Sequence, residues 1–360
     1  MFPEMKGIWQ LPFEVLWRFL LVRLDRLVPI HALRLTSNPP YPIKLRIPSR
    51  SKHKITVHLF VPDGIKLEKE GPLPVHIDFH GGGFFMGSCT EQAPFCSMIA
   101  ASLNRIVISV DYRLGPLHRF PAAIEDAEDV VSAVLQPSSQ GGSKLRHKVL
   151  KQMLRRPQPG IDTSKYTDIL DPTRLSLSGF SSGGNIALNL ALNIESDELK
   201  WPSLLSLTSP HPIPTLLFYP SFDQSCLPHE RPPPRHLPLH KQTEIMTPGR
   251  LRLAKHLSSA YLSDEQRFHI RASPGSADID CIHPGARLFL VLPELDTLAA
   301  ISEQWVEKVE KGGRGNVLEV RRCPGMKHGW TQYPDIALKK EEKAEKVKVF
   351  VEALRFLEKF

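Results

Sequence analysis

Apolar positions along the chain fall into short runs of strand length, separated by longer stretches with helical spacing. Runs near residues 44–49, 55–61, 73–79, 106–111, 175–179, 214–219, 287–292 and 317–323 predict strands. Amphipathic stretches near 92–103, 122–135, 184–194, 249–262, 297–311 and 340–358 predict helices, the last with Val347, Phe350, Val351, Leu354 and Leu357 on one face. Such an alternation favours an α/β architecture, a mostly parallel sheet with helices on both faces. Within it, Val75-His76-Ile77-Asp78-Phe79 alternates like a strand with one face toward water. No internal repeat is present. Residues 1–43 and 223–275 do not follow the alternation and read as cap segments over a core formed by 44–222 and 276–360. The stretch 136–168 reads as a basic insertion into that core.

The motif with the most chemical content is Gly179-Phe180-Ser181-Ser182-Gly183, between the run Arg174 to Ser178 and a helical stretch carrying Ile186, Ala187, Leu190, Ala191 and Ile194. A serine hydroxyl attacks an acyl group only when it is presented beside a base and near donors that hold the developing oxyanion. A sharp strand-turn-helix with glycines at its two crowded positions meets the first need. Upstream, the strand at 73–79 runs into His80-Gly81-Gly82-Gly83-Phe84, whose unshielded backbone N–H groups suit an oxyanion hole. A phosphate-cradling loop is the alternative reading, but no Lys-Ser/Thr pair follows the glycines and no GxGxxG occurs. Downstream, a strand ends in Pro293-Glu294-Leu295-Asp296 and another is followed by Lys327-His328-Gly329-Trp330. Chain order Ser, then acid, then His makes Ser181 the candidate nucleophile, His328 the base and Asp296 the acid, with Glu294 a competing acid in the same loop.

Together these motifs resemble the hormone-sensitive-lipase-like branch of the α/β-hydrolases. The resemblance rests on His80-Gly81-Gly82-Gly83, on Asp111-Tyr112-Arg113-Leu114 with Pro121-Ala122-Ala123 and Asp126, on the serine turn running into Asn185, and on His328-Gly329. It implies an α/β-hydrolase fold with a cap, and oxyanion donors at Gly82, Gly83 and Ser182. Three departures stand out. Phe180 and Ser182 flank the nucleophile where the family commonly has a polar residue and alanine, and Leu298 to Ile301 lacks the second aspartate usual in the acid loop. Phe84, Phe180 and Trp330, next to these motifs, are expected to contact substrate. The implied activity is hydrolysis of small to medium carboxylic esters through an acyl-enzyme. Acyl transfer, lactone formation or thioesterase action in secondary-metabolite biosynthesis, as in similar fungal pathway enzymes, is the alternative. A non-catalytic ligand receptor is the third reading.

Composition narrows the remainder. With 41% hydrophobic and 23% charged residues, the 360-residue chain has the make-up of an ordinary globular protein. The net charge of +8 concentrates in Lys144 to Arg156, which holds six Lys or Arg and no acid. A solvated basic helix explains that stretch, and no zinc-finger, homeodomain or RNA-recognition signature accompanies it, so nucleic acid is not an expected partner. Five cysteines without CxxC spacing argue against a disulfide framework or a zinc site, and no metal or organic cofactor is implied. Residues 15–30 are apolar but broken by Arg18, Arg23, Asp25 and Arg26. They predict neither a membrane span nor a secretory signal, so a cytoplasmic location is expected and membrane contact is the less favoured role of an amphipathic segment.

Overall fold

The computed structural model describes residues 33–34, 37–65, 71–154, 168–195, 203–205, 211–227, 230–231, 238 and 261–360. Among these residues eight strands form one sheet: β1 (Ile43–Pro48), β2 (Lys54–Phe60), β3 (Leu73–Phe79), β4 (Ile106–Asp111), β5 (Leu170–Phe180), β6 (Ile213–Phe218), β7 (Ala286–Leu295) and β8 (Leu318–Lys327). Their spatial order is β1-β2-β4-β3-β5-β6-β7-β8. The first two strands pair antiparallel, as do β2 and β4, and every pairing from β4 to β8 is parallel.

Among the described residues six helices accompany the sheet: α1 (Ala93–Leu103), α2 (Ala122–Leu135), α3 (Gln140–Met153), α4 (Ser182–Ala191), α5 (Ala299–Lys311) and α6 (Lys340–Glu358). They divide the interior into two apolar layers, one on each face of the sheet. The first holds Ile77, Leu177 and Leu217 of the sheet with residues of α2 to α5, such as Val130, Leu145, Ile186 and Val306. The second holds Phe180, Phe218 and Val291 with Phe95 and Ile99 of α1 and Phe350 and Leu354 of α6. Helices on both faces leave central strands no wet side, which is why β6 is buried at all six positions.

That burial corrects the reading of β3. Its alternation predicts one face in water, yet His76 and Asp78 are fully buried. They face the α1/α6 layer, and polar groups on β4 and β5 satisfy them there.

The basic stretch as far as Met153 lies on the amphipathic helix α3, while Arg155, Arg156 and the rest of the expected insertion to 167 lie outside the described residues. Leu145 and Val149 are fully buried in the first layer, while Lys144, His147 and Lys151 are exposed. Arg146 is buried and donates to Ala133 O at 3.2 Å and Val134 O at 3.0 Å, satisfying carbonyls that the end of α2 leaves open. One of the basic residues is thus a structural cap for a neighbouring helix.

Of the expected cap segments, residues 1–32, 35–36, 228–229, 232–237 and 239–260 lie outside the described residues, and so does nearly all of the helix expected at 249–262. The described end of the second segment is fastened to the core. Asn185 donates to Ala272 O at 2.9 Å, Asn189 donates to Arg271 O at 2.7 Å, and the buried Arg271 lies 3.4 Å from Glu128 on α2.

Candidate active site

Parallel strands deliver their following loops to one edge of the sheet, and all the candidate groups follow β3, β5, β7 or β8. Ser181 sits directly between the end of β5 and the start of α4, with φ 52° and ψ −112°. A non-glycine residue in this region costs about 1–3 kcal/mol, so the surroundings must hold it there. Ser181 N donates to Phe218 O at 2.9 Å and Ser221 N donates to Ser181 O at 3.2 Å, tying the turn to β6 and the loop after it. Asn185 adds a bond from its amide to Ser221 O at 2.8 Å.

Both glycines of the turn are required by close backbone approach. A methyl at Gly179 would lie 2.6 Å from Gly184 N, and one at Gly183 would lie 2.5 Å from His80 O. Gly183 therefore sets how closely the serine turn approaches the end of β3, where the glycine loop begins.

His328 Nε2 is 3.0 Å from Ser181 Oγ, and His328 Nδ1 is 2.7 Å from Asp296 Oδ2. The second carboxylate oxygen of Asp296 accepts from Leu298 N at 2.8 Å. Asp296 is 1% exposed, whereas the His328 side chain is 39% exposed, so the acid is shielded while the imidazole stays reachable. Three residues remote in sequence thus form one continuous hydrogen-bonded line. Glu294 does not join it: its Oε2 accepts from Gly325 N at 2.8 Å and braces the strand leading to His328.

The glycine loop begins where the end of β3 lies against the serine turn. Gly82 and Gly83 have φ of 119° and 62°, and a methyl at Gly82 would lie 2.6 Å from the Met86 carbonyl carbon. Ser182 is the first residue of α4, so its N–H is among those a helix leaves unsatisfied. The Tyr112 hydroxyl donates to His80 O at 2.8 Å and lies 3.3 Å from Ser182 Oγ, linking the loop to the serine turn. Its ring also stacks on His80 with centroids 4.2 Å apart.

The three rings expected to contact substrate are all enclosed. Phe180 is fully buried and stacks on Phe218 at 4.3 Å, with Phe95 edge-on at 5.7 Å. An alternating β5 directs Phe180 into the α1/α6 layer, so packing beneath the turn replaces the expected contact. Phe84 is 3% exposed and stacks on Tyr261 at 4.3 Å, and Trp330 is 1% exposed with its ring 5.5 Å from that of Tyr219.

Some contributors carried no sequence signal that singled them out. Tyr219, at φ 38°, sets its ring 5.1 Å from the His328 imidazole and hydrogen-bonds Thr331 through its hydroxyl. Gln332 donates to Glu91 at 3.1 Å, joining the histidine loop to the segment after the glycine loop. Tyr112 and Asn185, by contrast, lie within motifs that the sequence marks. All five cysteines are free thiols.

Sheet order, the strained serine turn and the position of the glycine loop define an α/β-hydrolase. Residues 76–332 match the family described as alpha/beta hydrolase fold, and the chain belongs to that family. Among curated proteins it is 36% identical over 165 residues to "Probable carboxylesterase 8" of Arabidopsis thaliana, a match covering 45% of this chain and 44% of the plant protein. The match therefore spans less than half the length of that relative. Carboxylesterase NlhH of Mycobacterium tuberculosis is 25% identical over 261 residues, covering 72% of this chain and 67% of the relative. Among solved structures, the Pyrobaculum calidifontis esterase aligns with a TM-score of 0.63 at 21% identity, covering 99% of this chain and 98% of that one, a likeness of fold.

Proposed function

We propose that the protein is a serine hydrolase that cleaves carboxylic esters of small to medium acyl groups through an acyl-enzyme. The observation that carries this reading is the line Ser181 Oγ to His328 Nε2 at 3.0 Å and His328 Nδ1 to Asp296 Oδ2 at 2.7 Å. The curated relatives named as carboxylesterases support it.

In this mechanism His328 Nε2 takes the Ser181 proton as Oγ attacks the ester carbonyl. Asp296, held by Leu298 N, keeps the proton on Nδ1 and stabilises the imidazolium without being protonated itself. The carbonyl oxygen becomes an oxyanion bound by the N–H groups of Gly82, Gly83 and Ser182, each such donor contributing about 3–4 kcal/mol to the transition state. The imidazolium then protonates the departing alkoxide, leaving an ester on Ser181. Water, deprotonated by His328, attacks that ester and restores the serine.

A base at hydrogen-bonding distance from the nucleophile weighs against the receptor reading. The acceptor of the acyl group is taken to be water. No helix among the described residues is long and apolar enough to cross a membrane.

Two measurements test the proposal. A fluorophosphonate should label Ser181 stoichiometrically, and p-nitrophenyl acetate and butyrate should be turned over with release of free acid. Absence of an adduct at Ser181, or release of p-nitrophenol that survives Ser181→Ala, would overturn it.

A further inference from the structure

Beneath the serine turn, within the apolar layer between the sheet and α1 and α6, lies a line of buried polar groups that the proposed mechanism does not use. Arg105 Nη1 donates to Ser176 Oγ at 3.1 Å, and Ser176 Oγ lies 2.9 Å from His76 Nδ1. His76 Nε2 is 2.8 Å from Ser178 Oγ, and Ser178 Oγ donates to Asp78 Oδ1 at 2.6 Å. Ser109 Oγ donates to the other carboxylate oxygen at 3.0 Å. Arg105 is 5% exposed and the other five residues are fully buried.

Counting protons along this line gives one arrangement for the carboxylate and one for an Asp78 protonated on Oδ1. With Asp78 ionised, Ser178 gives its one proton to the carboxylate and accepts from His76 Nε2–H. Nδ1 is then bare and accepts from Ser176, which itself accepts from Arg105. All bonds point from guanidinium to carboxylate. With Asp78 protonated on Oδ1, its O–H donates to Ser178, Ser178 donates to a bare Nε2, and the ring carries its proton on Nδ1; a proton on Oδ2 would instead go to Ser109, whose hydroxyl would turn to Cys89 O at 3.3 Å, and leave the line as it was. Ser176 then turns its hydroxyl to Val75 O, 3.3 Å away. The tautomer of His76 thus reports whether Asp78 takes its proton on Oδ1, the oxygen bonded to Ser178 and the one the inference below requires.

The location gives this line a consequence for the site. Asp78 lies two residues before His80 and the glycine loop, and Ser178 lies three residues before Ser181. We infer that Asp78 is a positioning residue: as a carboxylate it fixes, through Ser178, the spacing of the strand leading into the glycine loop against the strand carrying Ser181. The inference rests on the proposed roles of those two elements.

The titratable and charged groups facing Asp78 leave its own carboxyl as the group that switches. Cys96 on α1 acts on it directly, Cys89 just before that helix acts on Cys96, and His76 on β3 and Arg105 just before β4 lie further along the line. Burial holds the His76 ring down at about 3 and the Cys96 thiol well above its ordinary value, so both are neutral at working pH. Burial raises Asp78 to about 6, against the lowering effect of Ser178, Ser109 and Cys96 as donors.

The test combines nitrogen NMR of labelled His76 with pH profiles of p-nitrophenyl butyrate turnover in the full chain. His76 should carry its proton on Nε2 at pH 8 and on Nδ1 at pH 5. The wild-type kcat should show an acid-side step at the same pH as that switch, in addition to the step from the general base. Asp78→Asn keeps an acceptor for Ser178 but not the charge. It should lower kcat about threefold to tenfold with KM within twofold, show one His76 tautomer throughout, and lose the additional step. Should that variant not fold, Ser178→Ala breaks the same link and should also lose the step. A His76 tautomer that does not change between pH 8 and 5, or a variant that keeps the wild-type acid limb, overturns the inference. Absence of any turnover or fluorophosphonate labelling in the wild type would instead defeat the proposed function, and the tautomer titration would still judge the hydrogen-bonded line.

Discussion

Gly183→Ala tests whether rate depends on how closely the serine turn sits against β3. A methyl at this position would lie 2.5 Å from His80 O and 2.6 Å from the Phe79 carbonyl carbon, where ordinary contact begins at 3.4 Å. Both neighbours are backbone, so no side-chain rotation relieves the overlap. The turn and the end of β3 must separate by roughly 1 Å, and Ser181 moves relative to Gly82 and Gly83 by a similar amount. A misplacement of ~1 Å at the reacting centre costs about 100-fold in rate, or about 2.7 kcal/mol of transition-state stabilisation. Overpacking adds a stability loss of about 1–3 kcal/mol. The assay is kcat and KM for p-nitrophenyl butyrate together with the rate of fluorophosphonate inactivation, at a temperature where circular dichroism shows the variant folded. Gly315→Ala is the control, because its methyl would meet only Glu310 side-chain and backbone carbons at 3.6 Å and beyond. A folded Gly183→Ala protein with kcat within threefold of wild type would show that the approach of turn to strand does not set the rate.

Three other outcomes follow from the geometry. Asp296→Asn should lower kcat about 10⁴-fold by releasing the imidazole tautomer, while Glu294→Gln should cost less than about tenfold; equal losses would remove Asp296 from the triad. Asp78 should make stability depend on pH, because burial raises its pKa from the ordinary 3.8 to about 6 in the native state. The native chain therefore holds that proton more tightly than the unfolded chain, and stability falls as pH rises from about 4 through 6. Asp78→Asn escapes the loss, so urea midpoints should place it level with wild type at pH 4 and up to about 3 kcal/mol more stable at pH 8; a less stable variant at pH 8 would contradict the burial argument. Tyr219→Phe leaves the buried Thr331 hydroxyl without its partner, and a loss of about 1–3 kcal/mol in thermal or urea unfolding is expected, an unchanged midpoint refuting the contact's role.

Sequence patterning placed all eight strands, and it placed α2 and α6 to the residue, because long periodic segments and buried parallel strands carry strong signals. The strands β7 and β8 run further toward the site than their apolar runs suggest, and β5 begins earlier, at Leu170. Pairing between neighbours skips Glu294 at a register shift and resumes at Leu295 opposite Lys327, where composition alone reads as loop. The groups brought together at the site were legible because loops after parallel strands share one edge of the sheet. Which carboxylate reaches His328 was not legible, since Glu294 and Asp296 lie in one short segment and only the register of β7 against β8 turns one toward the imidazole and the other toward Gly325. Phe180, Phe84 and Trp330 show a related limit: adjacency to a motif does not tell which side of the sheet a ring faces.

The hardest feature to read was the polarity hidden inside β3 and β5. His76, Asp78, Ser176 and Ser178 alternate with apolar residues in the manner of strands that meet water, and only the presence of α1 and α6 over that face makes them buried. An isolated carboxylate there would cost several kcal/mol, and apolar side chains would pack the same space without that cost. Asp78 instead lies where the strand of the glycine loop meets the strand of the serine, held by Ser178 and Ser109, with a cation four hydrogen bonds away along a single line of donors. A buried charge that lowers stability above pH 6 while fixing the spacing of two strands that must act together is what a trade between stability and rate would look like. The same substitution, Asp78→Asn, should therefore move the two quantities in opposite directions at pH 8, stability up and kcat down. A variant in which both fall would mean that the carboxylate serves packing alone.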